Sequence, residues 1–544
     1  MGGVIYNSTN TGEVGTLAEV TIADSEFRNN YVSSGGADFA FGGAIYNDIE
    51  SVVNLSGVNT FAGNMANGIA NDIYNDGDLN VVSGVTTIDG GITGEGQLTI
   101  ANGAKLDIGT TALEQASVTV DGVLAMSLRD ATTYAKILTD DLKTQGDGKL
   151  LFAIGSVGNY DVFQSDVDVN IDAGSVYDVT KDGTSIVVKT KKAEVVAAES
   201  GMKVDTASTL VALANHENEK MRDVSLALQR ALVSEDVAKV QKEAGKLKPA
   251  EVPVAQSVAT STQGQAMTLA AGRMSGFGAI GRNAGDANID YGFWGQGLFN
   301  KSKNADKFTG YTRGIALGFD AQVNHDFLIG VGYTYNNTDI DVNDRDTDID
   351  SNTLFLYAQY KPTQWFVNGT VSYTMADYTE DINVAGVRLS ADYNVDSFGA
   401  QAMIGYDYAT GLTPEVGARY MHVSQDTYNN GFADIKSKDV DTLSGIAGLK
   451  YAFEIQSNSQ LKWRPELRAA ATYDFVADDA FATIVIPGTN PYTVMSERLS
   501  RFGGEFGIGL TALYNGVELS LNYDLDLHED YTSQTGMARF RYEF

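Results

Sequence analysis

The side chains most often used in catalysis are sparse and scattered in this chain. Its four histidines, at positions 216, 325, 422 and 528, are too far apart in sequence to suggest a histidine-based metal centre. His216-Glu217 begins an HExxH zinc motif, but the fifth residue is Lys220 instead of histidine. No G-x-S-x-G or G-D-S-G nucleophile motif and no Walker loop occurs. We therefore predict no catalytic residues, no metal and no cofactor, and a protease or lipase is disfavoured.

An aspartate-rich stretch invites a calcium interpretation. It contains Asp339, Asp341, Asn343, Asp344, Asp346, Asp348 and Asp350. The stretch lacks the internal glycine and the terminal glutamate of an EF-hand loop. Extended alternation would spread the carboxylates along one edge, so a solvated outer loop is the better interpretation than calcium binding.

The residues from Tyr291 onward alternate between apolar and polar or small side chains in segments of about ten. In one such segment Ile329, Val331 and Tyr333 share one face, while Thr334 and Asn336 share the other. This period of two is typical of a strand between two different solvents. Twelve segments begin near positions 291, 312, 327, 350, 364, 391, 412, 441, 460, 498, 516 and 533.

The connections between these segments alternate in length. Short turns such as Thr410-Gly411 alternate with long polar stretches at Asp339–Ile349, Asp377–Ser390 and Ala477–Glu497. An even strand number with short turns at one rim and long loops at the other is typical of a single-chain outer-membrane barrel. We predict a 12-stranded antiparallel transmembrane β-barrel over residues 291–544.

The polar face of these strands carries charges of both signs, which need water or a polar plug when they face a barrel interior. The predicted pore-lining residues are Asp320, Glu415, Arg419, Lys462, Arg464, Glu466, Arg468, Glu505, Glu518, Arg539 and Arg541. The apolar face of the last strand ends in Phe540, Tyr542 and Phe544. Aromatics near the strand ends predict interfacial girdles; they are Tyr333, Tyr335, Trp365, Tyr373, Tyr406, Tyr420 and Tyr523.

A helical region precedes the barrel, because the apolar period between 191 and 290 changes from two to about 3.6. Met202–Val233 has helix composition, and Ser234 is the predicted N-cap of a further helix that ends near Lys246. A third helix, about 256–276, is small and polar and carries Gln263, Gln265 and Arg273. Such a helix suits a water-filled lumen and is about as long as a bilayer core is thick. A flexible periplasmic linker is the alternative.

Residues 1–190 contain an internal repeat. Gly2-Gly3-Val4-Ile5-Tyr6-Asn7 recurs as Gly42-Gly43-Ala44-Ile45-Tyr46-Asn47, and Asn71-Asp72-Ile73-Tyr74-Asn75 is a degenerate copy. Phe27-Arg28-Asn29-Asn30 likewise recurs as Phe61-Ala62-Gly63-Asn64. Forty residues correspond to two coils of a right-handed parallel β-helix, with isoleucine inside and asparagine in a ladder along the turns. Strands near Leu150–Ile154 and Val167–Val188 would cap the stack.

Composition agrees with an all-β, exported protein. The net charge of −32 argues against a nucleic-acid partner. Cysteine is absent, so stability must come from hydrogen-bond ladders instead of disulfides. No run of 18 apolar residues occurs. The segment after Met1 lacks the features of a signal peptide, so we expect an exported chain to have lost its natural start.

A repetitive β-helix, a helical linker and a 12-stranded barrel ending in phenylalanine resemble the classical (type Va) autotransporters. The resemblance implies a barrel in the outer membrane, a passenger on the cell surface with an adhesin-like role, and a lumen helix that remains as the stalk. It also implies that Phe540, Tyr542 and Phe544 form the signal for the outer-membrane barrel assembly machinery. Periplasmic chaperones, outer-membrane lipid and an unknown host or surface ligand are the further partners implied.

Two other functions stay open at this point. One is a porin-like channel whose upstream region is a periplasmic extension. The other is a surface β-helix that acts on polysaccharide, with Asp24, Asp48, Asp72 and Asp76 along a groove. Self-cleavage in the linker is a further possibility because some autotransporters cut at a linker asparagine. Asn215-His216-Glu217-Asn218 is a loose match, without an Asn-Asn pair.

Overall fold

The computed structural model describes residues 3–9, 17–34, 40–234, 236–247, 255–274, 290–304, 308–342, 345–457, 461–487, 491–496, 499–514 and 516–543. The chain forms two compact units. The first is Met1–Lys248 with the short segments Val384–Val387 and Pro487–Thr489, and the second holds the rest of Pro249–Phe544. Within the described residues, no helix is both long enough and apolar enough to cross a membrane.

The strands of the first unit are short. They are β1 Ile5–Asn7, β2 Ala18–Ala23, β3 Glu26–Arg28, β4 Tyr31–Val32, β5 Ile45–Asn47, β6 Ser51–Ser56, β7 Val58–Ala62, β8 Met65–Ala66, β9 Ile69–Ala70, β10 Ile73–Asn75, β11 Asp78–Val81, β12 Gly84–Ile88, β13 Ile92–Thr93, β14 Gln97–Ile100, β15 Ala104–Asp107, β16 Ala112–Glu114, β17 Ser117–Val120, β18 Val123–Leu128, β19 Lys136–Leu138, β20 Asp141–Thr144, β21 Lys149–Ile154, β22 Gly158–Asp161, β23 Ile171–Asp172, β24 Tyr177–Asp182 and β25 Ser185–Thr190. Most of them stack into three parallel sheets, ordered β1-β5-β10-β13-β16-β19, β2-β6-β11-β14-β17-β20 and β23-β21-β18-β15-β12-β7-β3.

The sequence repeat is the stacking register of this β-helix. Ile45 lies between Ile5 and Ile73 in the parallel ladder, and the tyrosine and asparagine that follow pair in the same way. Ile45 and Ile73 are completely buried, whereas the tyrosines point outward and their rings stack 5.1 and 5.3 Å apart. The predicted parallel β-helix is confirmed, but the prediction that forty residues make two coils is wrong. Ile5 pairs directly with Ile45, so the forty residues between them form a single coil.

A ladder of buried amides runs along one corner of the β-helix. Asn7 donates to Asn47 (2.8 Å), Asn47 donates to Asn75 (2.6 Å), and Asn75 donates to Gln115 (2.6 Å). Nδ2 of Asn47 also reaches the carbonyl oxygen of Ser51 at 3.2 Å. Asn47, Asn75 and Gln115 each donate and accept hydrogen bonds, so these buried amides keep their hydrogen-bond partners.

Asp72 is a second buried polar group in the β-helix. Its carboxylate accepts from Nδ2 of Asn64 (2.7 Å) and from the backbone N–H of Gly90 (2.6 Å) and Asp89 (3.0 Å). Burial raises the pKa of the Asp72 carboxyl, and these hydrogen bonds oppose the rise. Asp72 is fully buried and therefore cannot line a surface groove, contrary to the expectation for a polysaccharide-active β-helix.

The last rungs of the β-helix are buried on both faces. In β21, Leu150 and Phe152 point inward, and the outward-facing Leu151 and Ala153 are also buried. A helix, Glu219–Val233, contacts this strand and covers its outer face. Nη2 of Arg230 in that helix donates to Ser127 on the neighbouring strand at 2.9 Å. A continuous apolar run is what a strand covered on both sides requires. A three-stranded antiparallel sheet, β22-β25-β24, follows these rungs.

Five helices follow the β-helix strands in sequence. They are α1 Ala193–Ser200, α2 Val204–Ala214, α3 Glu219–Val233, α4 Val237–Lys246 and α5 Ala255–Met274. The first four belong to the same compact unit as the β-helix, and Arg129 forms ion pairs with Asp223 (2.6 Å) and Glu219 (3.0 Å) of α3. The N-cap predicted at Ser234 is wrong. Asp236 caps α4 by accepting from the Lys239 N–H, because it lies one residue before the first turn.

The second unit is a closed antiparallel barrel. Its strands are β26 Asp290–Asn304, β27 Phe308–Asn324, β28 Phe327–Val342, β29 Arg345–Tyr360, β30 Trp365–Val384, β31 Val387–Tyr406, β32 Leu412–Gln425, β33 Tyr428–Asn429, β34 Asp434–Ser437, β35 Val440–Ala452, β36 Ile455–Gln456, β37 Leu461–Ala477, β38 Ala480–Val485, β39 Tyr492–Ser496, β40 Phe502–Tyr514, β41 Val517–His528 and β42 Tyr531–Glu543. Twelve of them form the wall, closed where β26 pairs with β42 and where β35 pairs with β37. The predicted strand number is confirmed.

The prediction of three long loops is wrong: two of them continue the wall strands, and the third, Ala477–Glu497, contains β38 and β39. Asp339 pairs with Asp348 and Asp341 with Asp346, so this stretch is a hairpin that extends the barrel wall. The stretch 377–390 is likewise strand on both sides of the turn at Ala385-Gly386. Ile340 and Ile349 explain the extension. Both side chains are buried, so apolar packing between the two strands continues at this end of the barrel. Beyond the wall strands, β33, β34, β38 and β39 form a four-stranded sheet.

The amide ladder gives a stability prediction. Replacing Asn47 by alanine removes the amide that accepts from Asn7 and donates to Asn75, and so interrupts the ladder. We expect a loss of about 1–3 kcal/mol in the free energy of unfolding of this unit. Pulse proteolysis of the full chain in detergent across a urea gradient measures it. The control is Asn159→Ala, an exposed asparagine of β22, which should change stability by no more than about 0.5 kcal/mol. Equal shifts for the two variants would contradict a structural role of the ladder.

Candidate functional site in the barrel lumen

Helix α5 belongs to the same compact unit as the barrel wall and contacts β28, β29 and β32. Its 20 residues contain no acidic side chain and one basic one, Arg273. At about 1.5 Å per residue such a helix is roughly 30 Å long, which matches the hydrocarbon core of a bilayer. The helix is therefore long enough to run through the part of the lumen that lies within the membrane.

An apolar cluster joins the helix to the wall near its C-terminal end. Leu269 and Met274 of the helix pack with Trp294, Phe355 and Tyr357, all of which point into the barrel. These rings need glycines on the neighbouring strand. A Cβ at position 332 would lie 2.3 Å from the Phe355 ring, one at 330 would lie 2.2 Å from the Tyr357 ring, and one at 318 would lie 2.2 Å from the Trp294 ring. Glycines on the inward-facing side of the strands thus leave the space that these inward-pointing aromatic rings occupy.

Gln263 fixes the middle of the helix. It is completely buried, and its Nε2 donates to Oγ1 of Thr374 (3.1 Å) and to the backbone oxygen and Oγ of Ser397 (2.8 and 2.9 Å). Its Oε1 accepts a hydrogen bond from Ser372. Gln265, two residues on, has one long contact, from Nδ2 of Asn336 at 3.4 Å. The two predicted glutamines therefore differ strongly in how tightly the wall holds them.

Arg273 fixes the C-terminal end of the helix through buried charge. Its side chain is completely buried and pairs with Asp320 through Nε and, at 3.0 Å, through Nη2. Asp320 also accepts from Nη2 of Arg541 (3.2 Å) and from the Tyr357 hydroxyl (3.1 Å). Glu518, 3.8 Å from Arg541, adds the second carboxylate. Two arginines facing two carboxylates balance a buried charge cluster that would be costly if any member were missing.

The other predicted pore-lining residues form five separate sets of contacts along the wall. Arg419 pairs with Glu505 at 2.8 Å, and Arg464, Glu466 and Arg468 form a row with separations of 3.9 and 3.5 Å. Arg539 donates to Ser520 at 3.3 Å, and Glu415 lies 3.8 Å from Lys450. Lys462 is more exposed and meets Glu454 at 3.7 Å, apart from the others.

Sequence reasoning missed several residues that complete this lumen site. Trp294 and Tyr357 were not singled out, and neither were the hydroxyl residues Ser372, Thr374 and Ser397. Their inward orientation follows from the same two-residue period as the charged residues. Their residue types gave no signal. Aromatic residues were expected on the lipid face, and small hydroxyl residues carry no charge that would have indicated a pore-lining position.

The outer surface of the barrel carries the apolar face predicted for it. Ile329, Val331 and Tyr333 are exposed, whereas Thr334 and Asn336 are buried toward the lumen. Phe540 and Tyr542 of the last strand are exposed on the same outer surface, and Phe544 lies outside the described residues. Of the predicted girdle aromatics, Tyr406 is half-buried and the rest are exposed. Such an apolar exterior around a polar interior suits a lipid bilayer.

No metal site accompanies this arrangement: among the residues that the structure describes, no group of three His, Asp or Glu side chains could hold an ion. The geometry defines a class of protein, an outer-membrane β-barrel with a helix through its lumen. Residues 292–524 match the model of the autotransporter beta-domain family. The barrel of this chain thus matches the autotransporter beta-domain, and its place is the outer membrane.

Curated relatives agree with this assignment. Outer membrane protein A of Rickettsia conorii is 26% identical over 296 residues, which cover 48% of this chain and 14% of that protein. Outer membrane protein B of Rickettsia rickettsii is 23% identical over 306 residues, 50% of this chain and 18% of that protein. The putative surface cell antigen sca1 of Rickettsia conorii is 20% identical over 288 residues, 47% and 15% of the two chains. The chain thus spans less than a fifth of the length of these relatives.

Among solved structures, the translocator domain of the autotransporter NalP from Neisseria meningitidis aligns with 53% of this chain and 98% of its own. The sequence identity is 17% and the TM-score is 0.40. With a TM-score of this size, the assignment rests on the family match and on the closed strand pairing.

Because the wall holds Gln263 more tightly than Gln265, replacing each of them should affect amide hydrogen exchange in α5 differently. Gln263→Leu removes the amide that bonds to Ser372, Thr374 and Ser397, which weakens the docking of α5 by about 1–3 kcal/mol. Amide exchange of the α5 peptide in the detergent-solubilised chain should then accelerate roughly tenfold or more. Gln265→Leu is the matched control and should leave exchange close to that of the unmodified chain. If both variants exchange alike, the anchor at Gln263 is not what holds the helix.

The charge cluster gives a second prediction. Asp320→Asn leaves Arg273 and Arg541 facing each other without their shared carboxylate, at a cost of about 3–5 kcal/mol. The compact barrel band seen in unboiled samples should disappear at a lower temperature than in the unmodified chain. Asp326→Asn removes the same charge at the turn that ends this strand and should have no effect on that temperature. An Asp320→Asn barrel as heat-resistant as the Asp326→Asn barrel would refute the role of the cluster.

Proposed function

We propose that the barrel inserts into the outer membrane, carries its own β-helix across it and displays that β-helix on the cell surface. Helix α5 then remains in the lumen as the tether. The observation that carries this proposal is the fit between α5 and the wall at Gln263 and Arg273, two residues that a periplasmic linker would have no reason to bury. The wall is built around the helix.

The partners follow from this route. A chain that reaches the outer membrane unfolded needs periplasmic chaperones and then the barrel assembly machinery. Phe540, Tyr542 and Phe544 are the residues we propose as the signal read by that machinery, and the exposed position of the first two supports this role. The pore-lining residues named above and the lumen-helix residues Gln263, Gln265 and Arg273 form the translocation path.

We propose an adhesin-like role for the displayed β-helix, directed at a host or surface ligand. One relative is named a putative surface cell antigen, and the others are named outer membrane proteins. An enzymatic passenger is less well supported, because Asp72 is committed to internal hydrogen bonds. Asn215, the candidate for self-cleavage, ends α2 in the first unit and donates to the carbonyl oxygen of Val211. We therefore propose that the chain is not an enzyme.

Protease treatment of intact Gram-negative cells tests the display. The chain is expressed behind a secretory signal peptide, and blots follow residues 1–190 and the barrel separately, with and without boiling. We expect the N-terminal epitope to disappear while a heat-modifiable barrel band persists, because the β-helix lies outside the cell. A soluble periplasmic protein followed in the same samples must stay intact. If the N-terminal epitope survives while the barrel band still shifts on heating, residues 1–190 are periplasmic and the porin-like alternative replaces display.

A further inference from the structure

A small polar cavity lies inside the barrel, between α5 and the wall. Its volume is about 30 Å³. Because a cavity of roughly 10–15 Å³ holds one water molecule, this one accommodates a water molecule or a monatomic ion and is too small for a phosphate group. Thr268, Leu269 and Gly272 of the helix line one side, and β26, β37, β40, β41 and β42 form the other. An occupant of the cavity would therefore touch both the helix and the wall.

The charged side chains that line this cavity are mostly cationic. They are three arginines and one glutamate, Arg464, Arg468, Arg539 and Glu466. Glu466 lies 3.9 Å from Arg464 and 3.5 Å from Arg468. Arg468 also pairs with Asp524, a second carboxylate. Two of the three arginines thus have carboxylates beside them.

The third arginine, Arg539, is buried without a charged partner. Its Nη2 donates to Oγ of Ser520 at 3.3 Å, whereas its Nε is buried and makes no hydrogen bond to any described residue. No carboxylate of the described residues lies at ion-pair distance from it, and the nearby Glu518 is 3.8 Å from Arg541 instead. A Cβ at position 272 would lie 3.3 Å from Nη1 of Arg539, so the guanidinium lies directly against the helix.

We propose that this cavity binds one chloride ion, which balances the charge of Arg539 and joins α5 to the wall. A buried cation is costly unless a negative charge lies beside it. A water molecule would accept the hydrogen bond from Nε but leave the positive charge unbalanced, whereas a small monovalent anion does both. Gln296, Thr511 and Asn522 also line the cavity, and their amide and hydroxyl groups are further donors for an anion.

Heat resistance of the purified full chain in detergent tests chloride binding, whether or not the β-helix is displayed on cells. The chain is heated at constant ionic strength while sodium chloride replaces sodium gluconate, whose anion is too large for the cavity. Above the dissociation constant, each tenfold rise in chloride should raise the temperature at which the compact barrel band is lost by about 3–5 °C, because the ion binds only the folded barrel. An equal temperature in both salts overturns the proposal.

Two variants test whether the ion balances Arg539. Arg539→Gln removes the unbalanced charge and keeps an amide that can bond to Ser520. In gluconate this barrel should resist heat at least as well as the unmodified barrel, and chloride should no longer stabilise it. Arg419→Gln is the matched control, because it removes a lumen arginine that has its own carboxylate, Glu505. That barrel should be less heat-resistant and should keep its response to chloride. A response that survives in Arg539→Gln, or that is lost equally in both variants, overturns the proposal.

Diffraction locates the ion without any substitution, so the proposal stays testable even if a variant fails to fold. Crystals of the unmodified chain grown in sodium bromide should show an anomalous peak inside the cavity, at hydrogen-bond distance from Nε of Arg539. Bromide is a heavier monovalent halide and replaces chloride at such a site. A cavity without that peak, or bromide bound only at exposed positions of the barrel, overturns the proposal.

Discussion

The constraint on which the barrel depends is that a strand inside a bilayer has no water to satisfy its backbone N–H and C=O groups. Closure of the sheet meets this constraint: β26 pairs with β42 over thirteen residue pairs, from Gly292↔Glu543 to Asn304↔Tyr531, so the first and last strands leave no edge. Closure also creates an interior that is neither lipid nor bulk water. Polar and charged side chains are stable there only with partners, and the lumen helix supplies some of those partners.

The helix and the wall complement each other in chemistry as well as in shape. A helix of small and polar residues would be unstable in lipid and poorly packed in an ordinary core. Here its one cation, Arg273, meets Asp320, and Gln263 meets three hydroxyl-bearing residues of the wall. The hydrogen bonds are worth more in this enclosed space than at a surface, because no water competes for them. The same enclosure makes each of these residues costly to replace.

The β-helix solves the same backbone problem by stacking instead of closing. Each rung pairs with the rungs on either side, and buried amides such as Asn47 satisfy one another along the stack. Rungs near its C-terminal end gain a further layer, because α3 covers the outward-facing Leu151 and Ala153 of β21. The absence of cysteine is compatible with both architectures, since in each of them stability comes from continuous hydrogen-bond ladders.

The sequence by itself determined the class of each element: period two gave twelve barrel strands, period 3.6 gave the helices, and the recurring Ile-Tyr-Asn gave the register of the β-helix. Local patterns suffice for this because they report which face of an element is buried. Only the tertiary structure decided which partners meet. Asp320 and Arg273 are 47 residues apart and Gln263 and Ser397 are 134 apart, distances over which no spacing rule operates. The strand ends at 339–349 and 377–390 were also decided by tertiary packing, since buried Ile340 and Tyr378 continue the wall where composition alone favoured loops.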